Sequence, residues 1–148
     1  PHLTLPEEDH VMRHISLKMR LKDEDGNPIR GFFPQAFELR EDELGLSVNW
    51  LEYFEGTHQE NIVASIQKFR DTRDIKKSSA FGIGGVKKIQ DVCSEHGAAK
   101  VRVVLDEDDD NKSHSIIIRL PRDDLNLLAS LAVSAFEECV FDSEIPRS

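Results

Sequence analysis

The sequence predicts an α+β domain with an antiparallel or mixed sheet of about five strands and three helices packed mainly on one face. Two kinds of pattern support this fold class. Several stretches alternate apolar and polar residues with the period of a strand, and three others repeat apolar residues with helical spacing. Because 148 residues is the size of one domain, residues 1–148 are predicted to form a single domain, with a frayed tail from residue 141.

Five stretches are predicted as strands. Residues 11–21 alternate throughout, with Val11, Ile15 and Leu21 on the apolar side. An acidic turn leads to a second strand over 29–33, and a third strand covers 44–50. Residues 100–105 and 113–120 predict a hairpin joined by an acidic loop.

Helical spacing of apolar residues covers three further stretches. Residues 59–72 predict the first helix and residues 85–96 the second. The last helix is expected to start at Pro121 and to carry Phe136 and Cys139 on its apolar side. A glycine-rich turn, Gly82 to Gly85, is expected to lead into the second helix. This turn could bind an anion or simply pack against the core, and the sequence leaves both roles open.

The overall charge of −9 favours solubility and argues against broad affinity for nucleic acid or anionic membranes. No apolar run approaches the roughly 18 residues of a membrane span, and no signal-peptide pattern opens the chain. The two cysteines, Cys93 and Cys139, are predicted to be buried free thiols. A reducing, cytoplasmic location is therefore expected.

Polar residues on the predicted strands suggest a locally basic sheet face in this acidic protein. Charge-assisted hydrogen bonds from Arg and Lys on such a face would bind an anion. An ordinary solvated face is the alternative, since Lys, Arg and Ser are common there. We call the predicted ligand-binding set the basic face; its residues are His14, Ser16, Lys18, Arg20, Ser47, Asn49, Arg102 and Arg119.

Two histidines lie beside hydroxyl residues in strand-like runs. His14 is followed by Ile15 and Ser16, and His114 lies between Ser113 and Ser115. The first triplet resembles half of the 2H phosphoesterase signature, in which paired strands each present a His and, two residues later, Ser or Thr. That resemblance implies one His as general base, the other as general acid, and hydroxyls that hold phosphate.

The second triplet departs from that signature. Ile116 stands where a hydroxyl is expected. His114 also alternates with Ile116 and Ile118, which predicts that it lies near the core, opposite the basic face. A structural role for each histidine is the alternative.

No metal or cofactor is expected from the sequence. His10 and His14 would share a strand face, but their spacing matches no known zinc pattern. The acidic loops at 23–28 and 106–112 lack the Gly and Glu that an EF-hand loop requires, and are interpreted as solvated turns.

Three stretches are similar to segments of short bacterial proteins without an assigned activity. They read Arg-His-Ile-Ser, Leu-Ser-Val-Asn-Trp-Leu-Glu-Tyr-Phe and Ser-His-Ser-Ile-Ile. The resemblance implies a bacterial accessory protein. If it implied a catalytic set, the residues would be His14, Ser47, Asn49, Trp50 and His114.

The leading hypothesis is a small intracellular binding domain whose basic face binds an anionic small molecule or an acidic protein segment. A protein partner in a multi-component system is the alternative. The sequence favours a binding domain over an enzyme and leaves the question of catalysis open. The runner-up is a small phosphoesterase or nucleotide-processing enzyme using His14 and His114 as general acid and base. The third is an acidic inhibitor or immunity-type protein. Nucleic acid and membranes are not expected partners.

Overall fold

A computed structural model describes residues 3–147 of the chain, so Pro1, His2 and Ser148 of the predicted domain lie outside the described residues. The strands are β1 His10–Ile15, β2 Arg20–Lys22, β3 Pro28–Phe32, β4 Gly45–Trp50, β5 Ala80–Gly85, β6 Arg102–Leu105, β7 His114–Ile118 and β8 Glu138–Phe141. The α-helices are α1 His58–Thr72, α2 Val86–Glu95 and α3 Leu125–Ser130. Short 3₁₀ turns cover Leu17–Met19, Pro34–Phe37, Leu51–Phe54 and Asp142–Glu144, and a π-helical turn covers Leu131–Ala135.

The predicted α+β class is confirmed, with a sheet that is antiparallel throughout the described strands. Six strands form the main sheet in the order β6-β7-β4-β1-β5-β8, and β2 pairs with β3 in a separate small sheet. Because neighbours in this order are often distant in sequence, the sheet brings together residues from both halves of the chain.

Both faces of the main sheet are covered by helices, with two helices on one face and one on the other. Apolar residues of α2 and α3 pack with Val11, Val48 and Ile117 in the larger core. Ile62, Ile66 and Phe69 of α1 pack with Met12 and Phe81 in a second core on the opposite face. Helix α1 is secured at its start by a capping box, in which Thr57 and Glu60 exchange side-chain and backbone hydrogen bonds.

The first strand is shorter than its sequence pattern predicts. Strand β1 ends at Ile15, and a 3₁₀ turn at Leu17–Met19 redirects the chain into β2 of the small sheet. The prediction of one continuous strand over 11–21 is therefore wrong. Alternation alone cannot reveal the turn, because apolar and polar residues continue to alternate through the turn and into β2.

The glycine-rich segment is a strand of the main sheet and not a turn. β5 pairs with β1 on one side and with β8 on the other. Glycine is needed at Gly84, since an added Cβ would lie 2.8 Å from the Ala135 carbonyl oxygen. The backbone of the π-helical turn thus approaches this strand more closely than a side chain would permit.

The C-terminal segment also differs from the prediction. Helix α3 starts at Leu125, with the Asp124 side chain as its N-cap, and Cys139 lies in strand β8. The segment that follows is not frayed: Ile145 is buried, and the fully buried Asp142 carboxylate pairs with Arg70 and Arg147 at 2.9 and 2.6 Å. These ion pairs fix the segment beside α1.

None of the helices within residues 3–147 combines the length and apolar character needed to cross a membrane. The two cysteines are free thiols, with Cys93 buried and Cys139 partly buried. Burial raises the pKa of the Cys93 thiol to about 11, which makes it a poor nucleophile at neutral pH.

Candidate functional site

A cavity of about 770 Å³ opens where strands β1 and β4 separate. Their pairing covers only Val11 with Trp50 and Met12 with Asn49, although β1 continues to Ile15 and β4 begins at Gly45. Beyond this short ladder the two strands leave room between them. The volume lies within the usual range of small-molecule sites.

Polar side chains of β1, β4 and β7 share one face of the sheet at this opening. Met12 pairs with Asn49, which in turn pairs with His114. Since paired residues and alternate residues project from the same face, His14, Ser47, Asn49 and His114 all share one face. The expectation that His114 lies opposite the basic face is therefore wrong, because it rested on each strand's own alternation and not on the register between strands.

Arg13 bridges the opening between the two strands. Its Nε donates to the Ala36 carbonyl and its Nη1 to the Ser47 carbonyl, both at 2.8 Å. Within the described residues it has no carboxylate at ion-pair distance. Burial lowers the pKa of Arg13 to about 10, so it stays charged at neutral pH. Because a guanidinium has five N–H donors, three remain for a ligand.

His14 lies next to this cation and adds a titratable ring to the cavity. Its Nε2 is 2.9 Å from the Ser79 hydroxyl, and its ring packs against Phe81. Burial lowers the pKa of His14, and the positive charges of Arg73 and Arg13 lower it further. The same two cations would attract an anion into this part of the cavity.

Ser47 and His114 form a second hydrogen-bonded unit in the cavity. His114 Nδ1 lies 2.8 Å from the Asp106 carbonyl, which can only accept, so Nδ1 carries the proton. In the neutral ring, Nε2 is then an acceptor, and it lies 3.3 Å from the Ser47 hydroxyl. The Asp106 carboxylate is also 3.4 Å from Nδ1. This is the arrangement of a nucleophile, a base and an orienting group.

Asn49 lines the cavity and is fully buried. Its amide nitrogen donates to the Ser65 hydroxyl of α1 at 3.1 Å, and its oxygen accepts from Asn111 at 2.9 Å. These bonds tie the acidic loop to the sheet and to α1. The buried amide thus has the hydrogen-bond partners that buried polar groups require. The same bonds hold the residues around the cavity in place.

Charges on the rim are mixed. Lys18, Arg40 and Arg73 line it together with Glu38 and two carboxylates of the acidic loop, Asp108 and Asp110. The partly buried Glu43 also lines the cavity but does not reach Arg13 within ion-pair distance. Glu43 therefore acts on Arg13 only through longer-range attraction, and the formal positive and negative charges that line the cavity are equal in number.

The structure brings together five of the eight residues of the predicted basic face. His14, Ser16, Lys18, Ser47 and Asn49 line the cavity, as does His114 from the alternative hypothesis. Arg102 and Arg119 do not line it. Arg102 bonds the Ala99 and Val101 carbonyls, and Arg119 follows β7 with a positive φ of 64°.

Arg20 does not lie on the predicted face, because the chain turns at Leu17–Met19 before reaching it. Its side chain is buried, with the guanidinium 4.2 Å from the centre of the Phe141 ring and Nη1 donating to the Ser78 carbonyl. Within the residues that the structure describes, its Nε is buried without a hydrogen-bond partner. Arg20 thus packs the small sheet against β8.

Sequence reasoning missed Arg13, Arg73 and Asn111 as residues of the site. Alternation places Arg13 on the core-facing side of the first strand, and Arg73 falls in a linker between predicted elements. A signal for Arg13 is nevertheless present, because a charged residue interrupts an otherwise apolar set between Val11 and Ile15. A cation at such a position requires a buried partner or a ligand.

Comparison of the chain with protein-family models, curated proteins and solved structures found no match.

Proposed function

We propose that the protein binds a small phosphate-bearing molecule in the cavity between β1 and β4. The observation that carries this proposal is the partly buried Arg13, a cation with unused donors and no carboxylate partner among residues 3–147. Removing a charge from water costs free energy, and a bound anion would offset that cost. His14 and the Ser47 hydroxyl flank the same space and supply further hydrogen-bonding groups.

Calorimetric titration with AMP tests this proposal, with adenosine as the uncharged control. AMP is expected to bind with one-to-one stoichiometry and adenosine much more weakly. Since a hydrogen bond to a charged group contributes about 1.5–3 kcal/mol, Arg13→Met should weaken AMP binding by roughly 10–150-fold. Arg73→Met at the exposed rim should have a smaller effect in the same direction.

Arg102→Met is the matched control, because this arginine is exposed and lies off the cavity. It should leave AMP affinity unchanged. If Arg102→Met weakened binding as much as Arg13→Met, the ligand would be held by overall charge and not by the cavity. If neither AMP nor inorganic phosphate bound to the folded protein, the proposal would be wrong.

A second candidate function, the hydrolysis of a phosphate ester, is favoured by the Ser47–His114 geometry. In this reaction the Ser47 hydroxyl passes its proton to His114 Nε2 while its oxygen bonds to phosphorus. The leaving alcohol then takes that proton as its bond breaks. A water then gives a proton to His114 as its oxygen bonds to phosphorus. The bond between Ser47 and phosphorus breaks, and His114 returns that proton to the serine oxygen. Donors of Arg13 and His14 would hold the phosphate oxygens.

The enzyme hypothesis predicts release of nitrophenol from p-nitrophenyl phosphate. Ser47→Ala and His114→Gln should each abolish turnover, while Ser94→Ala on the exposed side of α2 should retain it. If AMP binds but Ser47→Ala hydrolyses the ester as fast as the unchanged protein, the cavity is a binding site and Ser47 is not a nucleophile.

A further inference from the structure

Four side chains that can bind or orient a metal ion converge at the end of the sheet where β1 begins. Ligand atoms of His10, Glu52 and His58 all lie within 4.8 Å of one another. The two imidazole rings are 4.8 Å apart between centroids. Glu138 lies next to them, 2.7 Å from His58 Nε2. None of the four lines the cavity of the proposed function.

Each side chain of this cluster is placed by a different element. His10 opens β1, Glu52 lies in the 3₁₀ turn after β4, and His58 is the first residue of α1. Glu138 opens β8. The pairing of β1 with β4 sets the first two, and the capping box of α1 fixes the third. The convergence is therefore a product of the fold and not of neighbouring residues in sequence.

Hydrogen bonds orient both the carboxylate and the rings. The Glu52 carboxylate accepts from the His10 backbone N–H at 2.7 Å and lies 2.8 Å from His10 Nδ1. Glu138 as a carboxylate can only accept, so His58 Nε2 carries a proton and the neutral ring presents Nδ1 as a lone pair. A carboxylate behind a histidine in this way is the usual outer partner of a metal ligand.

We propose that His10, Glu52 and His58 form a binding site for a zinc-like divalent transition-metal ion, with Glu138 as the carboxylate that orients His58. Two imidazoles and one carboxylate are a common donor set for zinc. The carboxylates of Glu52 and Glu138 together balance the ion's two positive charges. Such an ion would link the start of α1 to β1 and to the turn after β4.

Titration of the full chain with Zn²⁺ alone, followed by calorimetry, tests the site, and Co²⁺ absorption spectra report the ligand geometry. One equivalent of Zn²⁺ should bind and raise the melting temperature. Co²⁺ should give the intense visible bands of a tetrahedral site. His10→Ala and His58→Ala should each remove the stoichiometric uptake. Glu138→Gln, which keeps its shape but lacks the charge, should weaken binding by about 10–100-fold.

His96→Ala is the matched control, since this histidine lies at the end of α2 and is 2.9 Å from the Ser130 hydroxyl. It should leave Zn²⁺ binding unchanged, and so should the double variant His14→Gln/His114→Gln in the cavity. Two results would overturn the proposal. One is the absence of stoichiometric uptake by the folded protein, and the other is equal uptake by folded His10→Ala/His58→Ala protein, which would leave only ordinary imidazole–carboxylate pairs.

Discussion

Arg13 explains, at the scale of single residues, why this part of the sheet suits an anion. Its guanidinium replaces the missing ladder between β1 and β4 by bonding the Ser47 carbonyl. The same placement removes the cation from water and lowers its pKa to about 10. The residue thus stabilises the sheet opening and places a positive charge in it.

His14 should couple anion binding to pH. Its folded-state pKa is lowered, mainly by burial and then by Arg73 and Arg13, with a smaller opposing effect of Asp142. A bound anion favours the protonated ring, so affinity for inorganic sulfate, whose charge is constant here, should rise as pH falls from about 8 to about 5.5. Calorimetry across this range measures the slope.

His14→Gln should flatten that pH dependence, and His96→Gln should not. The same lowered pKa has a consequence for stability without ligand. Between the folded and unfolded pKa values, the unfolded state binds more protons than the folded state. The contribution of His14 to the free energy of unfolding is therefore complete above the unfolded pKa of about 6.5 and is lost as pH falls from there through the folded pKa. A sulfate affinity that is independent of pH in the unchanged protein would contradict this assignment.

Residue identity alone predicts part of the site. His14, Ser47 and His114 stand out because polar residues interrupt apolar strands, which is a local feature of the sequence. The sequence pattern does not identify Arg13 as a site residue, because Arg13 occupies a core-facing position of its strand. The same position places its guanidinium inside the cavity. Its partners at Ala36 and Ser47 are distant in sequence, and no spacing rule indicates them.

At the scale of elements, β5 depends on glycine to let the π-helical turn approach. Gly84→Ala would place a Cβ 2.8 Å from the Ala135 carbonyl oxygen. Because a backbone atom cannot move aside cheaply, the free energy of unfolding should fall by about 1–3 kcal/mol. Denaturant unfolding measures the change.

Gly85→Ala is the matched control for this strand. An added Cβ there meets only Lys88 Cβ, at 3.9 Å, which is ordinary contact. Because Gly85 is also the N-cap of α2, where alanine is less favourable than glycine, the free energy of unfolding of this variant should fall by no more than about 1 kcal/mol. Equal effects of the two substitutions would show that strand propensity, and not the close approach at Gly84, requires glycine.

The C-terminal segment after β8 depends on the buried Asp142 carboxylate. It pairs with Arg70 of α1 and with Arg147, and Arg70 also donates to the Ile145 and Pro146 carbonyls. Asp142→Ala would leave these cations without their buried partner and should lower the free energy of unfolding by about 3–5 kcal/mol. Thermal unfolding checks this prediction.

Glu144 is the matched control for Asp142, because it is an acidic residue of the same 3₁₀ turn. Its carboxylate pairs with Arg30 at the surface, and both side chains are about half exposed. Glu144→Ala should cost much less, within about 1 kcal/mol, because exposed ion pairs are screened by water. If the protein tolerated Asp142→Ala equally well, the segment would be loosely held, as the sequence pattern predicts for a frayed end.

The sequence predicts elements whose apolar residues repeat with a clear helical or strand spacing. It does not predict elements whose structure depends on packing against residues that are distant in sequence. The period of 3.6 identifies α1 and α2, and alternation identifies β4 and the β6–β7 hairpin. Strand β5 resembles a turn because of its glycines, although packing against Ala135 and Phe136 requires the glycine at position 84. Strand β8 resembles a continuation of the last helix because apolar spacing continues past the π-helical turn.

At the scale of the whole molecule, strand order creates the site. The order β7-β4-β1 brings His114, Ser47 and His14 onto one face of the sheet, although they are separated by up to 100 residues in sequence. The period of each strand predicts which of its residues share a face. It does not predict which strands are neighbours, so the cavity could not be derived from the sequence.

The net charge of −9 acts against a free anion approaching from solution, while the positive charge of Arg13 attracts it. The carboxylates of the acidic loop and of Glu38 lie on the rim and Arg13 lies inside. This separation favours a ligand that is small enough to enter. Binding of an acidic protein segment stays a prediction from strand alternation, and the role of an acidic inhibitor stays a prediction from the net charge.

The most direct test of the central claim is an NMR titration of the isotope-labelled protein with AMP, following the Arg13 Nε–H signal and the ring signals of His14 and His114. An anion in the cavity should give saturable shifts of all three with one dissociation constant, and no comparable shift at Arg102 or His96. Shifts at Arg102 and Arg119 without any at Arg13 would show that the anion binds outside the cavity, and the proposed site would be wrong.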